Sequence, residues 1–174
     1  VIGELAKHKQ TDQLIQYLKE CHVEIQENTD VIDTNNVIVN SILNAKYHEA
    51  RQKKIIFEMK INDLSGLCIE DEDIVLILVN LLNNAIEACE QCERRIIRLK
   101  FVREEHQIII SVVNTLQVQP IVMMGRYITS KTDDVQMHGI GIENIRETVE
   151  KYDGSCVIKH DETSFRFAIV IPNK

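Results

Sequence analysis

The sequence DIVLILVNLLNNAIEACEQ, Asp73 to Gln91, contains neither Gly nor Pro and is strongly apolar, which predicts a helix. At about 100° per residue, Ile74, Val75, Ile77, Leu78, Val79, Leu81, Leu82, Ala85, Ile86 and Ala88 fall on one broad arc. An arc of roughly 200° exceeds the stripe that a surface helix needs, so this helix is expected to be mostly buried.

The remaining arc carries Asn80, Asn83, Asn84 and Glu87 at i, i+3, i+4 and i+7, with Asp73 and Gln91 continuing it and Leu76 intruding. Three asparagines suit a solvated face poorly, because Lys, Glu or Arg cost less helix propensity. An amide oxygen can ligate a hard cation and an amide NH2 can donate to a phosphate oxygen. Asn80 and Asn84, one turn apart, therefore suit a magnesium nucleotide. A polar stripe that ties down a neighbouring loop explains the same pattern, and the helix alone leaves both readings open.

Outward from this helix, composition narrows the classes. With 174 residues and 44% hydrophobic content, the chain can bury one core plus a small appendage. A net charge of −7 with no basic cluster argues against a nucleic-acid partner. No run reaches the roughly 18 to 20 apolar residues of a membrane span, and no signal-peptide pattern opens the chain, so no membrane contact is expected of this region. Five cysteines, an odd number, suit a reducing cytosol. Cys89 and Cys92 form a CxxC, but it ends a helix and has no second pair at zinc-finger spacing.

Residues 1–9 read as the end of a helix, and Thr11 is a plausible cap for a second one running to about Glu27. So short a connection predicts an antiparallel helical hairpin over 1–30. The polar stretch before Thr34 marks a domain boundary, with a helix expected from Asn36 to Lys53 and a strand from Ile55 to Ile61. Arg95–Glu104 and Gln107–Asn114 predict an antiparallel hairpin. Residues 115–138 show no clean period and read as a stretch without secondary structure, which at this length is either a misreading or a functional lid. At its end, Gly139 and Gly141 open a helix that continues through Ile145, Val149 and Tyr152 until Asp153-Gly154, and two further strands follow. This order predicts an α/β two-layer sandwich, a mixed sheet with helices on one face, over 34–174.

NLLNNAIEA, with its Asn80-xxx-Asn84-Ala85 core, resembles the N box of the GHKL ATP-binding fold, shared by gyrase B, histidine kinases and MutL; HGIGIENI resembles its second glycine box. The resemblance implies ATP and Mg2+ as cofactors, with Asn84 as the magnesium ligand. Position 80 is a Glu in the hydrolases, where it activates water. Asn80 cannot act as a general base, which disfavours hydrolysis and favours phosphoryl transfer to a protein side chain. By the same matching, Lys131, His138, Gly139 and Gly141 belong to the phosphate-binding lid and glycine box, and Thr163 to the adenine pocket. Where most members carry Asp-x-Gly-x-Gly, this chain has Val113-Asn114-Thr115. Sensors of peptide quorum-sensing systems, resembling the staphylococcal accessory gene regulator type, share that substitution, which passes adenine reading to Asn114.

In such kinases the phosphoacceptor is a His followed by Asp or Glu on the first hairpin helix. His8 and His22 lack that neighbour, and His48-Glu49 and His160-Asp161 lie in the wrong context. The acceptor is therefore expected upstream of Val1. The resemblance further implies a response-regulator partner, a homodimer through the hairpin, and a cytoplasmic domain of a membrane-anchored protein. Alternatives are a non-catalytic nucleotide-sensing module and a GHKL ATPase.

Overall fold

The computed structural model describes residues 32–118, 121–123, 126–128 and 139–173. The expected hairpin over 1–30 lies outside them. The first helix, α1, spans Val37–Gln52 and is capped by the Asn36 side chain, which accepts from the Val39 N–H at 3.0 Å. Strand β1, Ile56–Ile61, follows and leads to α2, Asp71–Glu90. Three carboxylates, Asp71, Glu72 and Asp73, occupy the first turn of α2, where the helix dipole favours negative charge.

Arg95 fastens the other end of α2. Its guanidinium donates to the carbonyls of Glu90 at 3.2 Å, Cys92 at 3.0 Å and Lys53 at 2.9 Å, tying together the exits of α2 and α1. Strands β2, Ile96–Arg103, and β3, Gln107–Thr115, then form the expected hairpin.

Two short strands come next: β4, Ile121–Met123, and β5, Arg126–Ile128, which pair with each other. They correct the expectation of a stretch without secondary structure over 115–138. Three residues are too few to display a period of two. The chain closes with α3, Gly139–Glu150, β6, Ser155–His160, and β7, Ser164–Pro172.

The main sheet has the order β1-β2-β3-β7-β6, with β1 and β2 parallel and every other pair antiparallel. The parallel pair requires a crossover, and α2 is that crossover. Burial alternates along β3, where Ile108, Ile110, Val112 and Asn114 face the helices. Against that face α2 buries Ile74, Ile77, Leu78, Leu82 and Ile86, each at most 2% exposed, as its wide apolar arc requires. The helices lie on one face, the mixed two-layer sandwich expected from the order of elements.

The stop after α3 differs from an ordinary glycine cap. Asp153, not Gly154, takes the left-handed conformation, with φ 55°. Gly154 is demanded by space. A Cβ there would stand 2.6 Å from Val149 Cγ1, 2.8 Å from Ile171 Cγ1 and 2.9 Å from the Val170 carbonyl oxygen.

Candidate functional site

Asparagines run along both α1 and α2, and the two sets are used differently. On α1, the Asn40 oxygen accepts from the backbone N–H and the hydroxyl of Thr34 at 2.8 and 2.7 Å. One turn later, Asn44 holds the N–H and the carbonyl of Ile32, both at 3.2 Å. These amides tie down the segment entering the domain.

On α2, the Asn80 NH2 donates back to the Leu76 carbonyl at 2.8 Å. Its oxygen turns toward α3, and a Cβ built on Gly141 would stand 3.3 Å from it. The missing side chain at 141 lets the first turn of α3 approach α2. Asn84, a turn further on, is exposed and makes no hydrogen bond to another described residue, as is also true of the half-buried Asn83. Among the described residues, the loop-tying use of an asparagine stripe is found on α1, at Asn40 and Asn44. The fold brings Asn80 of α2 against Gly141 at the glycine-opened end of α3, joining two motifs far apart in sequence.

At the exit of β3, Asn114 is only 4% exposed and lies opposite Ile97 of β2 and Phe165 of β7. Its NH2 donates to the Thr115 carbonyl at 2.9 Å, which leaves the amide oxygen as the free acceptor among the described residues. Thr163 lies close to this exit, since its carbonyl accepts from the Leu116 N–H at 2.9 Å. The Thr163 hydroxyl donates to Asp161 within the β6–β7 turn at 3.1 Å. Backbone and hydroxyl donors from Thr163 and Ser164 hold the Asp161 carboxyl down at about 2. Lys131 and His138 lie outside the described residues.

The CxxC thiols face the protein interior. Cys89 donates toward the carbonyls of Ile96 at 3.5 Å and Thr115 at 3.7 Å, and Cys92 toward that of Ala88 at 3.4 Å. Burial pushes the Cys89 thiol above its ordinary pKa, opposite to what a reactive cysteine requires.

Sequence reasoning missed one cluster. Asp73, placed by its periodicity on the polar arc, is 9% exposed and accepts from the Tyr152 hydroxyl at 2.5 Å and the Lys151 ammonium at 2.7 Å. The Glu70 N–H donates to the same tyrosine oxygen at 3.0 Å. These contacts join the start of α2 to the chain leaving α3. Partners 79 residues apart share no local signal. Desolvation, and then the hydrogen bond to Asp73, push the Tyr152 phenol up to about 12 from an ordinary value of 10.0. A raised folded-state pKa means that this stabilisation is fully present below pH 10 and is lost as pH climbs through 12. Tyr152→Phe is expected to flatten the fall in denaturation midpoint over that window; an unchanged alkaline slope would remove Tyr152 as its source.

A sequence model described as the GHKL domain matches residues 69–172, which take in α2, α3 and every strand but β1. No protein with a curated description matches the sequence. Among solved structures, the catalytic domain of histidine kinase ThkA superposes with a TM-score of 0.60 at 22% identity, covering 81% of this chain and 93% of that one. Histidine kinase AdeS of Acinetobacter baumannii gives 0.56 at 13% identity, with coverage of 99% and 80%. The histidine kinase domain of a blue-light activated kinase from Erythrobacter litoralis gives 0.58 at 13% identity, with coverage of 96% and 75%. At such identities these likenesses speak for the fold. The family rests on the sequence match over most of the chain, and by it the chain belongs to the GHKL domain family.

Proposed function

We propose that this chain is the catalytic region of a sensor histidine kinase, which binds Mg-ATP and passes the γ-phosphoryl group to a histidine on a helix upstream of Val1. The observation that carries the reading is the approach of Asn80 to Gly141 at the glycine-opened end of α3, with Asn84 one turn further along α2 keeping an exposed amide without a partner among the described residues. An amide oxygen suits a hard cation, and backbone N–H groups at a helix start suit phosphate. Bound there, magnesium would neutralise charge on the phosphates. Asn84 would hold the ion, Gly139 and Gly141 would offer N–H groups, and Lys131 and His138 would complete the phosphate side. Asn114 would accept from the adenine amine with its unused oxygen, close to Thr163.

On this reading residues 1–30 form part of a dimerising hairpin and 34–174 the ATP-binding domain. The physiological partner is a response regulator, and the full protein is a membrane-anchored homodimer with this region in the cytoplasm, resembling the sensors of peptide quorum-sensing systems. Among the described residues, no helix is long and apolar enough to cross a membrane. Titration of ATP with and without magnesium tests nucleotide binding, and labelled ATP with an acceptor helix supplied in trans tests the transfer. Binding without transfer would favour a non-catalytic nucleotide-sensing module.

Asn80 offers no proton acceptor for water, so ATP turnover is expected to stay near the uncatalysed level. Sustained phosphate release by the purified chain would favour a GHKL ATPase instead.

A further inference from the structure

An asparagine is an ambiguous reader of a base. Its NH2 donates and its oxygen accepts, and a half-turn about the last side-chain bond exchanges the two at little cost. Set opposite the exocyclic group of a purine, a freely turning asparagine serves an amine and a keto oxygen alike. A carboxylate only accepts and has no such freedom.

Asn114 is not free to turn. It is 4% exposed, flanked by Ile97 and Phe165, and its NH2 donates to the Thr115 carbonyl at 2.9 Å. Reversing the amide would set its oxygen against that carbonyl, two acceptors with no proton between them. The orientation therefore depends on where Thr115 stands, and Thr115 is held from both β2 and α2. From β2, the Ile96 N–H donates to the Thr115 hydroxyl oxygen at 3.2 Å. From α2, the Cys89 sulfur lies 3.3 Å from the same oxygen. Since that oxygen already accepts from Ile96, the hydroxyl turns its own proton to the sulfur. The thiol proton passes on to the carbonyl of Ile96 at 3.5 Å or of Thr115 itself at 3.7 Å. Cys89 is fully buried, so it ties the exit of β3 to the helix that carries Asn80 and Asn84.

We propose that Thr115 is a positioning residue for base recognition: by engaging the Asn114 NH2 it leaves only the amide oxygen to meet the ligand, so the site takes a purine nucleotide with an exocyclic amine and rejects one with a keto oxygen in its place. This rests on the reading of Asn114 as the base-facing residue of a nucleotide site, and adds to it what fixes the choice of base.

Calorimetric titration of the chain with ATP and with inosine triphosphate, both in magnesium, tests it, because the inosine base carries a keto oxygen where adenine carries its amine. The parent is expected to bind ATP more tightly by on the order of thirtyfold, the effect of one buried polar group left without a partner. Thr115→Val keeps a branched side chain that suits a strand and removes the hydroxyl. In that variant the preference is expected to shrink to about threefold or less, with inosine triphosphate binding more tightly than it does to the parent. Thr115→Ser restores the hydroxyl and should restore the preference. Lost packing alone would weaken both nucleotides together and leave their ratio unchanged. Cys89→Ala removes the acceptor of the hydroxyl proton without altering β3; it is expected to lower the ratio in the same direction, and it carries the test if Thr115→Val does not fold. A parent that binds both nucleotides equally, or a ratio that stays at the parent value in the folded variants, would overturn the proposal and leave the kinase reading standing. A parent that binds neither nucleotide would overturn the nucleotide site itself, and this inference with it.

Discussion

Asn84→Ala is expected to leave the fold intact and abolish magnesium-dependent ATP binding. The residue is exposed and makes no hydrogen bond to another described residue, so truncation opens no cavity and orphans no donor among them. Alanine is also the better helix former by roughly 0.5 kcal/mol, so thermal stability should stay level or rise slightly. What the substitution removes is an oxygen suited to a hard cation. The loss should therefore appear only in the magnesium-dependent part of the affinity, with binding in excess chelator the same for both proteins. Calorimetric titration of the two chains, with and without magnesium, reads this difference. An unchanged magnesium effect in a folded Asn84→Ala protein would take the metal away from this residue.

The fold was legible where one residue pattern admits one physical solution. An apolar arc of roughly 200°, a little over half of the circumference, can only be buried, whereas β3 carries Ile109 and Val113 on one face and Ile108, Ile110 and Val112 on the other, so its apolar run marks a strand without marking the face that is buried. The distinction between the two asparagine sets was not legible. Asn40 and Asn44 on α1 look like Asn80 and Asn84 on α2 in spacing and composition, and only the position of residues 32–34 shows which amides are already occupied. The Asp73–Tyr152 contact was hidden for a related reason. A periodic polar arc gives the direction of a carboxylate but not the element that arrives from the far end of the chain to bury it. The role of Gly154 depended on Val149 and Ile171, whose approach is a tertiary fact.

Gly154→Ala is expected to lower unfolding free energy by about 3 kcal/mol, a large share of the roughly 5–15 kcal/mol typical of a domain. Carbon contacts normally settle near about 3.5–4.0 Å, and the new methyl would meet Val149 at 2.6 Å and Ile171 at 2.8 Å. Neither can move aside, since both are 0% exposed, and the third neighbour, the Val170 oxygen at 2.9 Å, is backbone of a strand paired on both sides. Relief must come from lifting the end of α3 off the sheet. That movement carries Tyr152 away from Asp73, so the variant should also lose the steepened fall in stability between pH 10 and 12 that the tyrosine contributes. Asp153→Gly is the control. It removes a side chain from a residue at φ 55° and should change stability by no more than about 1 kcal/mol. Urea midpoints that are equal for Gly154→Ala and the parent chain would show that the turn yields at no cost, and that α3 is not held to β7 at this point.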